Sequence, residues 1–124
     1  MIRHSVTVLP PKKKNFRICN LFLNSEITPY HLDTRFCKIP KLENMLLTVL
    51  IKDMDTMNSV LVDYPNIYLE AYLYEESTKD YTKKYLKFKK NGVIITPKDE
   101  KVIKIKISLK SQDKVIDYCL VDIV

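Results

Sequence analysis

The chain has 124 residues, 46% hydrophobic and 29% charged, enough for one modest core and too apolar for a disordered polypeptide. Its 18 lysines and 3 arginines outweigh 15 acids, for a net charge of +6. That balance permits nucleic acid, anionic lipid or acidic protein as a partner and selects none of them.

No run approaches the ~20 apolar residues that cross a bilayer, and MIRHSVTVLPPKKK lacks the layout of a signal peptide. Cys19, Cys37 and Cys119 are widely spaced, with no C-x-x-C, so neither a disulfide framework nor a zinc pattern is read. An intracellular protein with reduced thiols is expected, cytoplasmic, with the nucleus as the alternative. Lysine, isoleucine, asparagine and tyrosine are abundant and have AT-rich codons, which suits the AT-rich genome of a large DNA virus or a parasite.

In chain order, IRHSVTVL (2–9) and FRICNLFL (16–23) read as strands, parted by PPKKKN, whose prolines cannot continue a ladder. The basic stretch PPKKKNFR (10–17) reads as a solvated loop, with a weak nuclear-import signal as the second choice. Residues 41–57 are ambiguous. Leu42, Met45, Leu46, Val49, Leu50, Met54 and Met57 fit a helical stripe, yet Leu47 and Ile51 spoil its polar side. A strand over 45–52 is favoured, because the flanking segments are strand-like.

IYLEAYLY (67–74) alternates Ile67, Leu69, Ala71 and Leu73 against Tyr68, Glu70, Tyr72 and Tyr74. KVIKIKISLK (101–110) does the same, with Ile103, Ile105, Ile107 and Leu109 on one side and Lys104, Lys106 and Ser108 on the other. Both are half-buried strands with one wet face. The single glycine follows Asn91, and Asn-Gly favours a two-residue type I′ turn. A hairpin of 82–90 with 93–97 is therefore expected, pairing Phe88 with Ile95, Lys90 with Val93, Lys89 with Ile94 and Lys87 with Thr96. TPKDEK (96–101) and KSQDK (110–114) signal further turns, so the chain from Ile67 onward reads as an antiparallel meander. VIDYCLVDIV is apolar on both sides and reads as a strand buried on each.

Chemical motifs are few. His4 and His31 lie far apart and at no useful spacing from a cysteine. DMDTMN (53–58) lacks the third oxygen ligand, the central glycine and the closing glutamate of a calcium loop. As a phosphatase-type D-x-D-x-T it sets Thr56 one position early. No G-x-S-x-G is present, and one glycine cannot build a phosphate cradle. Glu75-Glu76 and Asp99-Glu100 fall in turn-like polar segments. No enzyme, metal, cofactor or small-molecule substrate is read from these residues.

LTVLIKD, DYPNIYLEAYLY and then YTKK, spread over 46–53, 63–74 and the residues after, resemble a C2 domain as a succession of strands. The likeness covers under half of the chain, and the paired acidic calcium ligands of that family's later loops are missing. It implies a β-sandwich architecture and carries no site residues across.

The expected fold is thus a single all-β domain over 1–124. It is an antiparallel β-sandwich of about seven to nine strands, with a short helix within 41–58 left open. The hairpin register turns Lys83, Tyr85, Lys87 and Lys89 outward and Leu86 and Phe88 inward. Lys104 and Lys106 join the same outer side if strand 101–110 lies next door, and Tyr68, Tyr72 and Tyr74 face water on their own strand.

Lysines on wet strands also serve solubility and protect sheet edges. Beyond that, this lysine and tyrosine face implies a non-enzymatic binding module. Its partner would be another protein or a second copy, in a viral or assembly role. The alternative is nonspecific RNA or anionic-membrane binding of the matrix-protein kind. Scarce arginine argues against sequence-specific reading.

Overall fold

The computed structural model describes residues 15–96 and 103–124. Every regular element in it is a strand: β1 (Phe16–Leu23), β2 (Glu26–Ile27), β3 (Phe36–Ile39), β4 (Met45–Asp53), β5 (Ser59–Val60), β6 (Tyr68–Glu75), β7 (Asp80–Thr82), β8 (Leu86–Lys89), β9 (Gly92–Ile95), β10 (Ile103–Ser111) and β11 (Lys114–Ile123). Two sheets result. Sheet A has the order β2-β1-β4-β9-β8, with β5 on the stretch of the β4 edge that β9 leaves open. Sheet B has the order β3-β11-β10-β6-β7. All pairings are antiparallel except β3 with β11. The β-sandwich read from the sequence is present, with more strands than expected and one parallel pair. Among the described residues there is no helix, hence none long and apolar enough to cross a membrane.

Alternation explains the core. Met45, Leu47, Val49 and Ile51 of β4 point inward and are buried. Leu47 and Ile51, the residues that spoil a helical polar side, are wholly enclosed, so the helical alternative for 41–58 fails on packing. Ile103, Ile105, Ile107 and Leu109 of β10 and Leu69, Ala71 and Leu73 of β6 meet them from sheet B, as predicted. Each large aliphatic side chain enclosed in this way contributes about 1.5–3 kcal/mol relative to exposure.

Several expectations are corrected. The reversal before β9 lies one residue early: Lys89 pairs with Gly92, Phe88 with Val93, Lys87 with Ile94 and Leu86 with Ile95. Lys90 (φ 52°) and Asn91 form its corner, and Gly92 has no positive φ. Gly92 serves by lacking a side chain, since a Cβ there would lie 3.1 Å from Leu46 Cδ1 and 3.3 Å from the Lys89 carbonyl oxygen. The Asn91 amide is committed elsewhere. It accepts from Val62 N–H (2.9 Å) and donates to the Val60 carbonyl (3.2 Å), tying the chain after β5 to the hairpin. Phe88 shares the inward side with Leu86 but lies on the edge strand and is 43% exposed.

The expected strand 82–90 is also broken. β7 belongs to sheet B and β8 to sheet A, joined by Lys83, Lys84 and Tyr85, so no continuous meander runs from Ile67 onward. β10 pairs with β6 and β11, not with the hairpin. β11 is buried on one side only. Asp117, Cys119, Val121 and Ile123 face inward, while Val115, Tyr118 and Leu120 are exposed. The predicted strand 2–9, the lysines before Asn15, His4 and most of the turn at 96–101, including Asp99-Glu100, lie outside the described residues.

Candidate functional site

Sheet B presents a row of aromatic and cationic side chains on its outer face. Tyr74, Tyr72, Glu70 and Tyr68 of β6 stand opposite Lys104, Lys106, Ser108 and Lys110 of β10. Asp122, Leu120 and Tyr118 of β11 flank Lys104, Lys106 and Ser108 on the other side. From β7, Tyr81 pairs with Tyr74, their rings 5.3 Å apart and edge-on. Lys83, just past β7, sets its Nζ 5.0 Å from the centre of the Tyr72 ring.

The fold therefore brings Lys83, Lys104, Lys106, Tyr68, Tyr72 and Tyr74 together on one surface. Lys87 and Lys89, by contrast, project from β8 on the opposite side of the sandwich. Tyr85 is half-buried against the core. The separation follows from strand order: β9 spends its second edge on β4, so β10 cannot adjoin it.

The rings are engaged by cations. Lys106 Nζ and Arg35 Cζ each lie 5.3 Å from the Tyr118 centroid, within the range of cation–π attraction. Lys110 Nζ is 5.9 Å from the Tyr68 ring, and Tyr64 packs on Tyr68 at 4.9 Å. Tyr68 is consequently buried, although its strand position faces outward. Its hydroxyl donates to Asp113 Oδ1 at 2.8 Å, and that hydrogen bond holds the phenol above its ordinary range.

Glu70 Oε2 accepts from Tyr72 Oη (3.0 Å) and Lys110 Nζ (3.3 Å), so this acid is already matched. Lys83, Lys104 and Lys106 make no ion pair among the described residues, although Asp122 stands across the strand from Lys104. Ser108 is short among long neighbours. Above it opens a hollow of 310 Å³ walled by Tyr72, Tyr81 and Lys106.

The inner side of the same sheet holds a different arrangement. β1 and β11 each carry a bulge, between Ile18 and Asn20 and opposite the Leu109–Lys110 step. Asp117 joins them across the two sheets. Its Oδ2 accepts from Ile18 N–H at 2.8 Å, and its Oδ1 from Arg35 Nε at 3.0 Å and Tyr118 N–H at 2.9 Å. The bulge in β1 frees the Ile18 N–H from the ladder, and the carboxylate satisfies it.

The Tyr30 hydroxyl is buried with no hydrogen-bond partner. Burial, with Cys119 and Asp117 nearby, drives its ionisation well above the usual phenol range. Burial likewise raises the Cys119 and Cys37 thiols. These are structural thiols, since a reactive cysteine needs its thiolate stabilised. Among the described residues no three of His, Cys, Asp and Glu gather around a possible metal ion. Asp53 and Asp55 shape their own turn, the Asp55 N–H donating to Asp53 Oδ1 at 2.9 Å.

Sequence reasoning missed Tyr118, Leu120, Ser108 and Arg35 as members or supports of the outer face. Reading 114–123 with one inward parity through Asp117, Cys119 and Val121 would have exposed Tyr118 and Leu120. Comparison with protein families, curated proteins and solved structures gives no match for this chain. The segments that resemble a C2 domain fall on β4, β6 and the edge strand β7, where strand-forming residues are required of any sandwich.

Proposed function

We propose that this protein is a non-enzymatic binding module that engages another protein through the outer face of sheet B. One observation carries the reading: Tyr72, Tyr118 and Tyr68 already have cations lying against their rings. A platform for single-stranded nucleic acid offers open ring faces on which bases stack. Here a cation lies against each of these rings instead, beside the exposed aliphatic groups of Leu120 and Val115. Tyrosine with aliphatic neighbours and a polar rim is the composition of a protein interface.

The test is a benzophenone amino acid in place of Tyr72, with the same group at Thr48 on the outer side of sheet A as the control. Irradiation in an extract of the source cells is expected to give a protein adduct from position 72 and none from 48. That adduct should persist in nuclease-treated extract across roughly 50–200 mM salt, the range over which phosphate-driven binding collapses. Adducts to RNA or lipid alone, or a signal lost over that range, would replace this reading with polyanion or membrane binding. Equal adducts from both positions would remove the face from consideration.

A further inference from the structure

We infer that the partner of this face is an acidic, extended polypeptide segment in which two carboxylates flank one apolar side chain seated above Ser108. The inference rests on the protein-binding reading above and names the chemistry of the occupant.

Charge gives the first part. Lys110 and Arg35 have carboxylate partners, Glu70 and Asp117. Lys83 and Lys106 have none among the described residues and rest against the rings of Tyr72 and Tyr118. An ammonium held on an aromatic face at the surface is weakly bound, at about 0.5–1 kcal/mol. A carboxylate delivered by a partner therefore gains a charge-assisted hydrogen bond at little cost. Of the acids on the described strands of this face, Glu70 is matched, Asp117 is buried, and Asp122 stands at the Lys104 end of the row.

Shape gives the second part. The hollow above Ser108 measures 310 Å³, at the small end of ligand sites and suited to one or two side chains. Tyr72 of β6 and Tyr81 of β7 wall it. Tyr72 lies on β6 and Tyr118 on β11, with β10 between them and an offset of two residues along the strands, so the positions that carry the two cation-bearing rings are about 12 Å apart on the diagonal. In an extended segment, alternate side chains share a face about 7 Å apart. An acid, an apolar residue and a second acid at alternate positions place the two carboxylates about 14 Å apart, close enough to that diagonal for the long lysine side chains to meet them while the middle residue enters the hollow.

Other occupants fit less well. A second copy docked about a twofold axis would turn the same row of ammonium groups on itself. RNA would have to displace the lysines from the rings before its bases could stack.

The probe is a fluorescein-labelled peptide of repeated glutamate-serine-leucine-serine-glutamate units, titrated with the full chain and read by anisotropy. Binding is expected, with Lys83→Glu and Lys106→Glu each weakening it by about tenfold or more, as when a favourable contact is turned into repulsion. Lys87→Glu and Lys89→Glu remove the same charge from the far side of the molecule. They should change binding by less than about twofold, since a distant exposed charge is screened.

Equal binding of a glutamine-for-glutamate peptide overturns the acidic requirement, and equal binding of a serine-for-leucine peptide overturns the role of the hollow. Tighter binding of poly(U), lost in the same variants, overturns the inference in favour of RNA. A protein adduct from position 72 without peptide binding overturns the acidic partner and leaves the protein-binding reading standing. Absence of both removes both.

Discussion

The two sides of sheet B handle charge in opposite ways, and adjacent residues of β11 show it. Asp117 turns inward, is 6% exposed, and receives two backbone N–H groups and the Arg35 side chain. Tyr118 turns outward, is 36% exposed, and is met by two cations lying against its ring. Arg35 serves both, through Nε on one side and its guanidinium plane on the other. Inside, three donors meet one carboxylate, and removing a partner leaves a desolvated group. Outside, the lysines are held loosely and stay available. The difference teaches where stability resides in this sheet and where a partner can act.

Asp117→Ala breaks the comparison from the inside and carries the largest expected effect. It orphans the Ile18 N–H at the bulge and uncouples β1 from β11, at a cost of about 3 kcal/mol. Lys106→Glu, on the outer side, should stay within about 0.5 kcal/mol of the parent. Urea denaturation of both variants checks this, and similar midpoints for the two would contradict it.

Next in size is the response to alkali. Tyr30, Cys37 and Cys119 hold their protons more tightly in the fold than their ordinary values of 10.0 for the phenol and 9.0 for the thiols. Below those values both folded and unfolded chains keep the proton, and stability is constant. Above them the unfolded chain ionises first, so stability falls as pH climbs toward the raised folded values. Melting temperatures should therefore drop from about pH 9 to pH 11. The two buried thiols should stay silent to a thiol reagent in the folded protein, while Cys19, half-exposed, reacts. A melting temperature that is flat through that range is the contrary result.

The smallest effect sharpens the same contrast. Tyr30→Phe deletes a buried hydroxyl that has no partner, so stability should stay level or rise by up to about 1 kcal/mol. A loss larger than that would mean that the hydroxyl is satisfied in solution.

Much of the sandwich was legible because alternation is a direct consequence of strand geometry. Leu69, Ala71 and Leu73, and Ile103, Ile105 and Ile107, point inward as their spacing requires. Period two says which side of a strand is wet but not which sheet the strand joins. The chain changes sheets at Lys83 to Tyr85, a change that a register carried straight through from the hairpin does not show, and for that reason Lys87 and Lys89 were grouped with Lys104 and Lys106.

Turn chemistry misled for a related reason. The Asn91 side chain is drawn to the backbone after β5, and Gly92 is needed where Leu46 closes over it. Positive φ at both corner residues occurs instead at Asn24-Ser25 and Gln112-Asp113, without any glycine. In the candidate site, Tyr72, Tyr74, Lys104 and Lys106 were visible from spacing alone. Tyr118 was hidden in an apolar run whose two acids mark opposite sides, Asp117 inward and Asp122 outward.

The parallel pairing of β3 with β11 has a consequence for biosynthesis. Residues 36–39 acquire their neighbour only when residues 120–123 have been made, the kind of distant contact that slows assembly. During translation, the inward side chains Cys37 and Ile39 must wait, uncovered on that flank, until residues 120–123 have left the ribosome. A nascent chain halted before residues 120–123 emerge would thus keep a greasy, unzipped margin, open to chaperone engagement.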